Sequence, residues 1–171
     1  MCRVRVQITM LVALFLAACV TITVRPGATG PVRDWPASAN CPVPDRSGRD
    51  APHLVALMNV ERARVGLRPL TLSAPLSDVA HAFACEAAAR RDIGHTGSDG
   101  SKLSERLRRG GISASMVAEN NASFYRTPEA AMAAWMASPH HRENILRPDA
   151  RFVGVGQADG AETVWVVDFT S

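Results

Sequence analysis

No stretch of this chain concentrates positive charge, which excludes the reading that its formal charge of +3 invites. Nucleic-acid binders carry a basic stripe or face. Here Arg106, Arg108 and Arg109 share one short predicted helix with Glu105 and read as a solvated face, while Arg90 and Arg91 suit a helix C-terminus, where cations meet the dipole. Taking Arg3 and Arg5, which lie in an N-terminal segment read below as an export signal, from the nineteen Lys and Arg leaves seventeen against sixteen Asp and Glu. No nucleic acid is expected as a partner. The sequence also lacks an H-E-x-x-H motif, a nucleophile elbow, a phosphate-binding loop and a cysteine nucleophile, so no familiar catalytic signature marks it as an enzyme. It has no internal repeat. With 171 residues, 47% of them hydrophobic, one ordinary domain plus an extension fits the length.

Cysteine is scarce, and two of the four lie in the N-terminal segment. Arg3 and Arg5 precede an apolar run from Ile8 to Val20, the charged and hydrophobic regions of an export signal. The close of that run, Leu16-Ala17-Ala18-Cys19, resembles the bacterial lipobox, in which the cysteine is lipidated and becomes the new N-terminus. A diacylglycerol on Cys19 would supply the two chains that stable membrane attachment requires. Two other readings remain open. One is plain signal cleavage near Ala17-Ala18, giving a secreted protein; the other is an uncleaved anchor, since apolarity continues to Val24.

Every one of these readings exports the folded part. In an oxidising compartment the two remaining cysteines, Cys41 and Cys85, are expected to pair; the alternative is two separate thiols, with Cys85 a small buried hydrophobe. Two residues this far apart give no metal-ligand spacing. The organisation is then a signal peptide over 1–18, a Pro- and Gly-rich tether and strap over 19–49, and a globular domain over 50–171.

Along the domain, Asp50 and Pro52 open a first helix, with Leu54, Leu57, Met58 and Glu61 on one side and Gly66 as its stop. A second helix runs from about Ser73 to Arg91, with Leu76, Val79, Ala80, Phe83, Ala84 and Ala87 as a core stripe. Ile93 to Ser101 is a loop, because Gly94, Gly97, Ser98, Asp99 and Gly100 are turn formers. A short helix carries Leu103 and Leu107 inward and ends at Gly110-Gly111, and Ser115 to Ser123 reads as a strand. Thr127 and Pro128 start another helix, in which Met132, Trp135 and Met136 must be buried. Ser138-Pro139 stops it, because the residue before proline is pushed out of the helical region. The polar run His140, His141, Arg142, Glu143 and Asn144 follows. Phe152 to Ala158 and Thr163 to Phe169 flank Asp159-Gly160 as a hairpin. Helices with a few antiparallel strands give an α+β fold.

Trp135 to Leu146, WMASPHHRENIL, resembles the W-x-x-S-P-x-H-R-x-N-I-L signature of bacterial members of the CAP superfamily (cysteine-rich secretory, antigen 5 and pathogenesis-related proteins). Asn59, Arg62 and the GLRPL run, His95 in GHTGSDG, Arg106, Glu119 in AEN and Gly154 to Gly156 follow in the family's order. The resemblance covers about residues 50 to 171. It implies an α-β-α sandwich whose antiparallel sheet is covered by helices on both faces, with Asn59 and Arg62 bracing neighbouring loops.

The same resemblance puts His95, Glu119 and His141 in a central cleft. Such a set can hold a divalent ion, zinc by ligand type, with His95 and His141 as ligands, or can serve without metal as base and orienter. Where the family has a second glutamate this chain has Ser138, which removes a charge favouring a cation. The expectation is a lipid-anchored or secreted envelope protein whose cleft binds a lipid, another small ligand or an ion. The alternative is a metal-dependent hydrolase acting on peptides or cell wall.

Overall fold

Proline and capping chemistry set the starts of the helices. The structure, a computed structural model, describes residues 41–171. Helix α1 spans Ser47–Arg64 and begins one turn earlier than Asp50 suggests. That extra turn is held by the Ser47 amide on Pro44 O (2.8 Å) and by an Arg46–Asp50 ion pair at 3.3 Å. Gly66 follows its C-cap at a φ of +73°, the left-handed conformation glycine adopts without steric cost.

Helix α2 spans Ala74–Arg90 and α3 spans Leu103–Arg109. In α4, Pro128–Ala137, the Thr127 hydroxyl accepts from Ala130 N at 3.3 Å, as an N-cap should. Ser138 does leave the helical region, but Pro139 then starts a further helix, α5 over Pro139–Ile145, instead of a loop. Proline at the first helical position is favourable because its missing N–H has no partner to lose there.

The strands are β1 (Thr71–Leu72), β2 (Val117–Ser123), β3 (Phe152–Asp159) and β4 (Thr163–Thr170), in the spatial order β1-β3-β4-β2. β3 and β4 form the expected hairpin and β2 adds antiparallel to β4. The two-residue β1, too short to carry a sequence pattern, pairs parallel with β3 and makes the edge of the sheet mixed.

Alternation along β4 separates two cores. Trp165, Val167 and Phe169 pack with Leu54, Met58, Met132, Trp135 and Ile145 of α1, α4 and α5, whereas Val164 and Val166 pack with Ala80, Phe83 and Ala84 of α2. Helices therefore cover both faces of the sheet, and the fold is an α-β-α sandwich. The α2 layer sits close on the sheet at two glycines. A Cβ on Gly154 would lie 2.3 Å from Leu76 C, and one on Gly156 would lie 2.2 Å from Ala80 C, both backbone atoms.

The braces hold as expected. Asn59 exchanges two hydrogen bonds with the Leu70 backbone, at 3.0 and 2.7 Å. Arg62 is fully buried and donates to the carbonyls of Arg68, Ile145, Arg147 and Ala150, which ties α1 to the segment that follows α5. Cys41 and Cys85 form a disulfide that staples the strap onto α2. The signal segment 1–18, Cys19 and the tether up to residue 40 lie outside the described residues. Among the described residues no helix is long and apolar enough to cross a membrane.

Candidate functional site

Strand β2 and the loop after α2 build the site. Pleating sends Glu119 and Asn121 to the α2 face of the sheet, where Glu119 lies opposite Asp168 and Asn121 opposite Val166. The Asn121 amide group donates to Gly94 O at 2.9 Å and to Glu119 Oε1 at 3.2 Å, so it pins the His95 loop and the carboxylate together. His95 Nδ1 then meets Glu119 Oε1 at 2.8 Å. The other carboxylate oxygen accepts from Arg106 Nη2.

Arg106 corrects the reading of α3 as a solvated face. It has no exposed surface, lies 3.7 Å over the Phe83 ring centroid, and also donates to His95 O and Ser101 O. The charges around it on α3 face solvent and hid its inward orientation.

The ring of His95 is 58% exposed, in contrast to the Glu119 side chain at 4%. Its pKa is raised above 6.5, chiefly by the hydrogen bond to Glu119 and against partial desolvation. Asp168 is a functional candidate that the sequence did not single out. It is wholly buried, and burial together with the charge of Glu119 pushes its pKa well above 3.8, against the opposing effect of Arg106.

His141 approaches from α5. Asn144 donates to Asn120 Oδ1 (2.9 Å) and to Glu119 O (3.3 Å), and Asn120 donates to His141 O (2.9 Å), which docks this short helix on β2. Trp135 anchors the same strand from below, its indole N–H donating to Asn121 O at 3.2 Å. The pKa of His141 is lowered from 6.5, by burial first and then by the charges of His95 and His140. His140 and Glu143 are exposed on α5, and Ser138 is half-buried at the α4–α5 junction.

The structure thus joins His95 and Glu119 directly and ties the His141 backbone to Asn120 of the same strand, and among the described residues no hydrogen bond runs from the His141 ring to either of them. Among the described residues, the three side chains of metal-ligating type whose ligand atoms lie within 4.8 Å of one another are Cys41, His81 and Cys85. With Arg106, His95 and Asn121 engaging both of its oxygens, Glu119 acts here as the partner that orients His95 and not as a ligand, and the imidazoles of His95 and His141 are the groups of this set that could hold a cation.

A sheet covered on both faces, with a histidine, a buried glutamate and a second histidine gathered about strand β2, places the molecule in the class of CAP-type α-β-α sandwiches. The chain belongs to the cysteine-rich secretory protein (CAP) family, whose profile matches residues 55–169. It is 33% identical over 116 residues to the uncharacterized protein YkwD of Bacillus subtilis, a match covering 68% of this chain and 45% of YkwD. The chain spans less than half the length of the curated relatives it matches. Among solved structures it is similar to an extracellular protein containing an SCP domain from Bacillus anthracis. That likeness has a TM-score of 0.66 and 26% identity, covering 70% of this chain and 39% of that one. An outer surface protein of Borrelia burgdorferi shares the fold at a TM-score of 0.68 and 24% identity, over 73% of this chain and 94% of that one.

Proposed function

We propose that this chain is an exported cell-envelope protein, lipid-anchored through Cys19, whose His95–Glu119–His141 cleft, rimmed by Ser138, recognises a ligand without turning it over. The observation that carries this reading is the occupancy of Glu119. Both of its oxygens are committed, to Arg106 on one side and to His95 and Asn121 on the other, so it orients His95 and is a poor general base. His95 Nδ1 faces Glu119, and among the described residues Nε2 has no hydrogen-bond partner and is left for a ligand, as acceptor when the ring is neutral and as donor when it is protonated.

A hydrolase reading draws on His141, whose lowered pKa keeps its imidazole neutral and able to take a proton or a metal. One experiment separates the two. The His95 and His141 ring resonances are followed by NMR while the protein is titrated with vesicles of envelope lipid, with cell-wall peptide fragments, or with zinc chloride. Binding is supported when one probe shifts both rings, is recovered intact, and loses its effect in His95→Gln. Cleavage of the peptide fragments that disappears in His141→Ala would establish the hydrolase instead. The anchor has a separate readout: Cys19→Ser releases the protein from the membrane fraction, and retention of that variant would point to an uncleaved helix.

A further inference from the structure

His81 stands against the disulfide. It lies one helical turn before Cys85 on the same face of α2, and its Nε2 is 3.4 Å from Cys85 Sγ. Its other ring nitrogen, Nδ1, meets the Gln157 carbonyl at 2.9 Å, a shorter contact than the 3.3 Å from Nε2 to Cys41 O. An Nδ1–H donated to Gln157 O leaves Nε2 with its lone pair, and Cys85 Sγ, which is also 3.9 Å from Nδ1, lies beside the ring rather than along that lone pair. Metal-ligating histidines use this arrangement, in which a backbone carbonyl fixes the tautomer and the ring orientation.

We propose that the Cys41–Cys85 bridge conceals a metal site: once reduced, Cys41, Cys85 and His81 bind a thiophilic divalent cation such as zinc through two thiolates and one imidazole. The spacing suits it. Zn–S bonds of about 2.3 Å and Zn–N bonds of about 2.0 Å at a tetrahedral angle put nitrogen and sulfur about 3.5 Å apart, close to the distance already present. The ligand atoms of all three residues already lie within 4.8 Å of one another, and two of the three residues sit one turn apart on α2, so a rotation of the freed Cys85 side chain is the rearrangement required. The third stays near when the bridge opens, because the strap is held a few residues on, where Arg46 pairs with both Asp50 and Asp159. Three protein ligands leave a fourth position for water.

Opening the site requires a dithiol donor. Its thiolate attacks one sulfur of the bridge to give a mixed disulfide, and its second thiolate displaces that bond. The donor leaves as its own disulfide, and Cys41 and Cys85 gain two electrons and two protons. The cation then displaces both protons from sulfur. None of this involves the cleft at Glu119, which is built from other elements.

The test titrates cobalt(II) into the full chain under anaerobic conditions, before and after reduction, and reads the thiolate-to-cobalt charge-transfer absorption. The reduced chain is expected to take up one equivalent, which zinc displaces; the oxidised chain shows no such band. His81→Gln weakens uptake by at least about tenfold, while His95→Ala leaves it unchanged and so separates this site from the cleft. Equal affinity in the reduced native chain and His81→Gln would overturn the proposal. So would a reduced chain that keeps its far-ultraviolet circular dichroism and gives no band. If reduction unfolds the domain, recovery of that signal on adding zinc supports the site, because ligation then drives folding; failure to recover overturns it.

Discussion

Arg106 and Glu119 form an ion pair that water hardly reaches: the arginine has no exposed surface and the glutamate side chain only 4%. Removing one member of such a pair leaves a buried charge without compensation, which costs about 3–5 kcal/mol, far more than a surface pair. Arg106→Met is therefore expected to lower unfolding stability by about that amount in urea denaturation. The double variant Arg106→Met with Glu119→Gln should recover part of the loss, since no charge is then stranded. A single variant within 1 kcal/mol of the native chain would show that Glu119 is not held by this contact.

Asp168 faces Glu119 across β2 and β4, and its folded-state pKa lies well above 3.8. A raised pKa means that its favourable contribution is fully present below 3.8 and is lost as pH climbs toward the folded value, because only the unfolded chain gives up the proton freely. Asp168→Asn cannot ionise and keeps the shape. It is expected to be more stable than the native chain near about pH 7 and to match it near about pH 4, by urea midpoints at both pH values. The exposed ring of His95 also has a raised pKa, so its contribution starts to fall only above 6.5. A loss confined to that later window would assign the drift to His95 and count against Asp168.

Gly156 packs beneath α2, where the atoms a side chain would strike are the backbone carbon and oxygen of Ala80 at 2.2 and 2.3 Å. A helix backbone cannot step aside as a flexible side chain can. Gly156→Ala should cost about 1–3 kcal/mol or more by overpacking, read as a lower urea midpoint and a lower soluble yield. Gly160→Ala serves as control, because its nearest neighbour lies 3.9 Å away. Equal stability of the two variants would mean that α2 does not seat on β3 this closely.

Regular patterns were legible in the sequence where a single face decided them. The stripe from Leu76 to Ala87 fills one layer, and the β3–β4 hairpin lies where the alternation and Asp159-Gly160 put it. Features without a period were not legible. Helix α5 has seven mostly polar residues, and its docking comes from Asn144 and Asn120 rather than from an apolar stripe. Arg106 sits among arginines that face solvent, and nothing in its own segment tells it apart; Phe83 and Glu119, which receive it, come from other elements.

The sequence alone was enough to determine the α+β class, the order of α1 to α4 and β2 to β4, and the expectation that Cys41 and Cys85 pair, since these follow from local periodicity, caps and redox compartment. Only the tertiary structure decided which polar groups meet. Glu119 is claimed by Arg106, Asp168 is held close to it and His81 is set against the disulfide. Those encounters join residues far apart in the chain, and their energies depend on burial, which no local pattern of residues encodes.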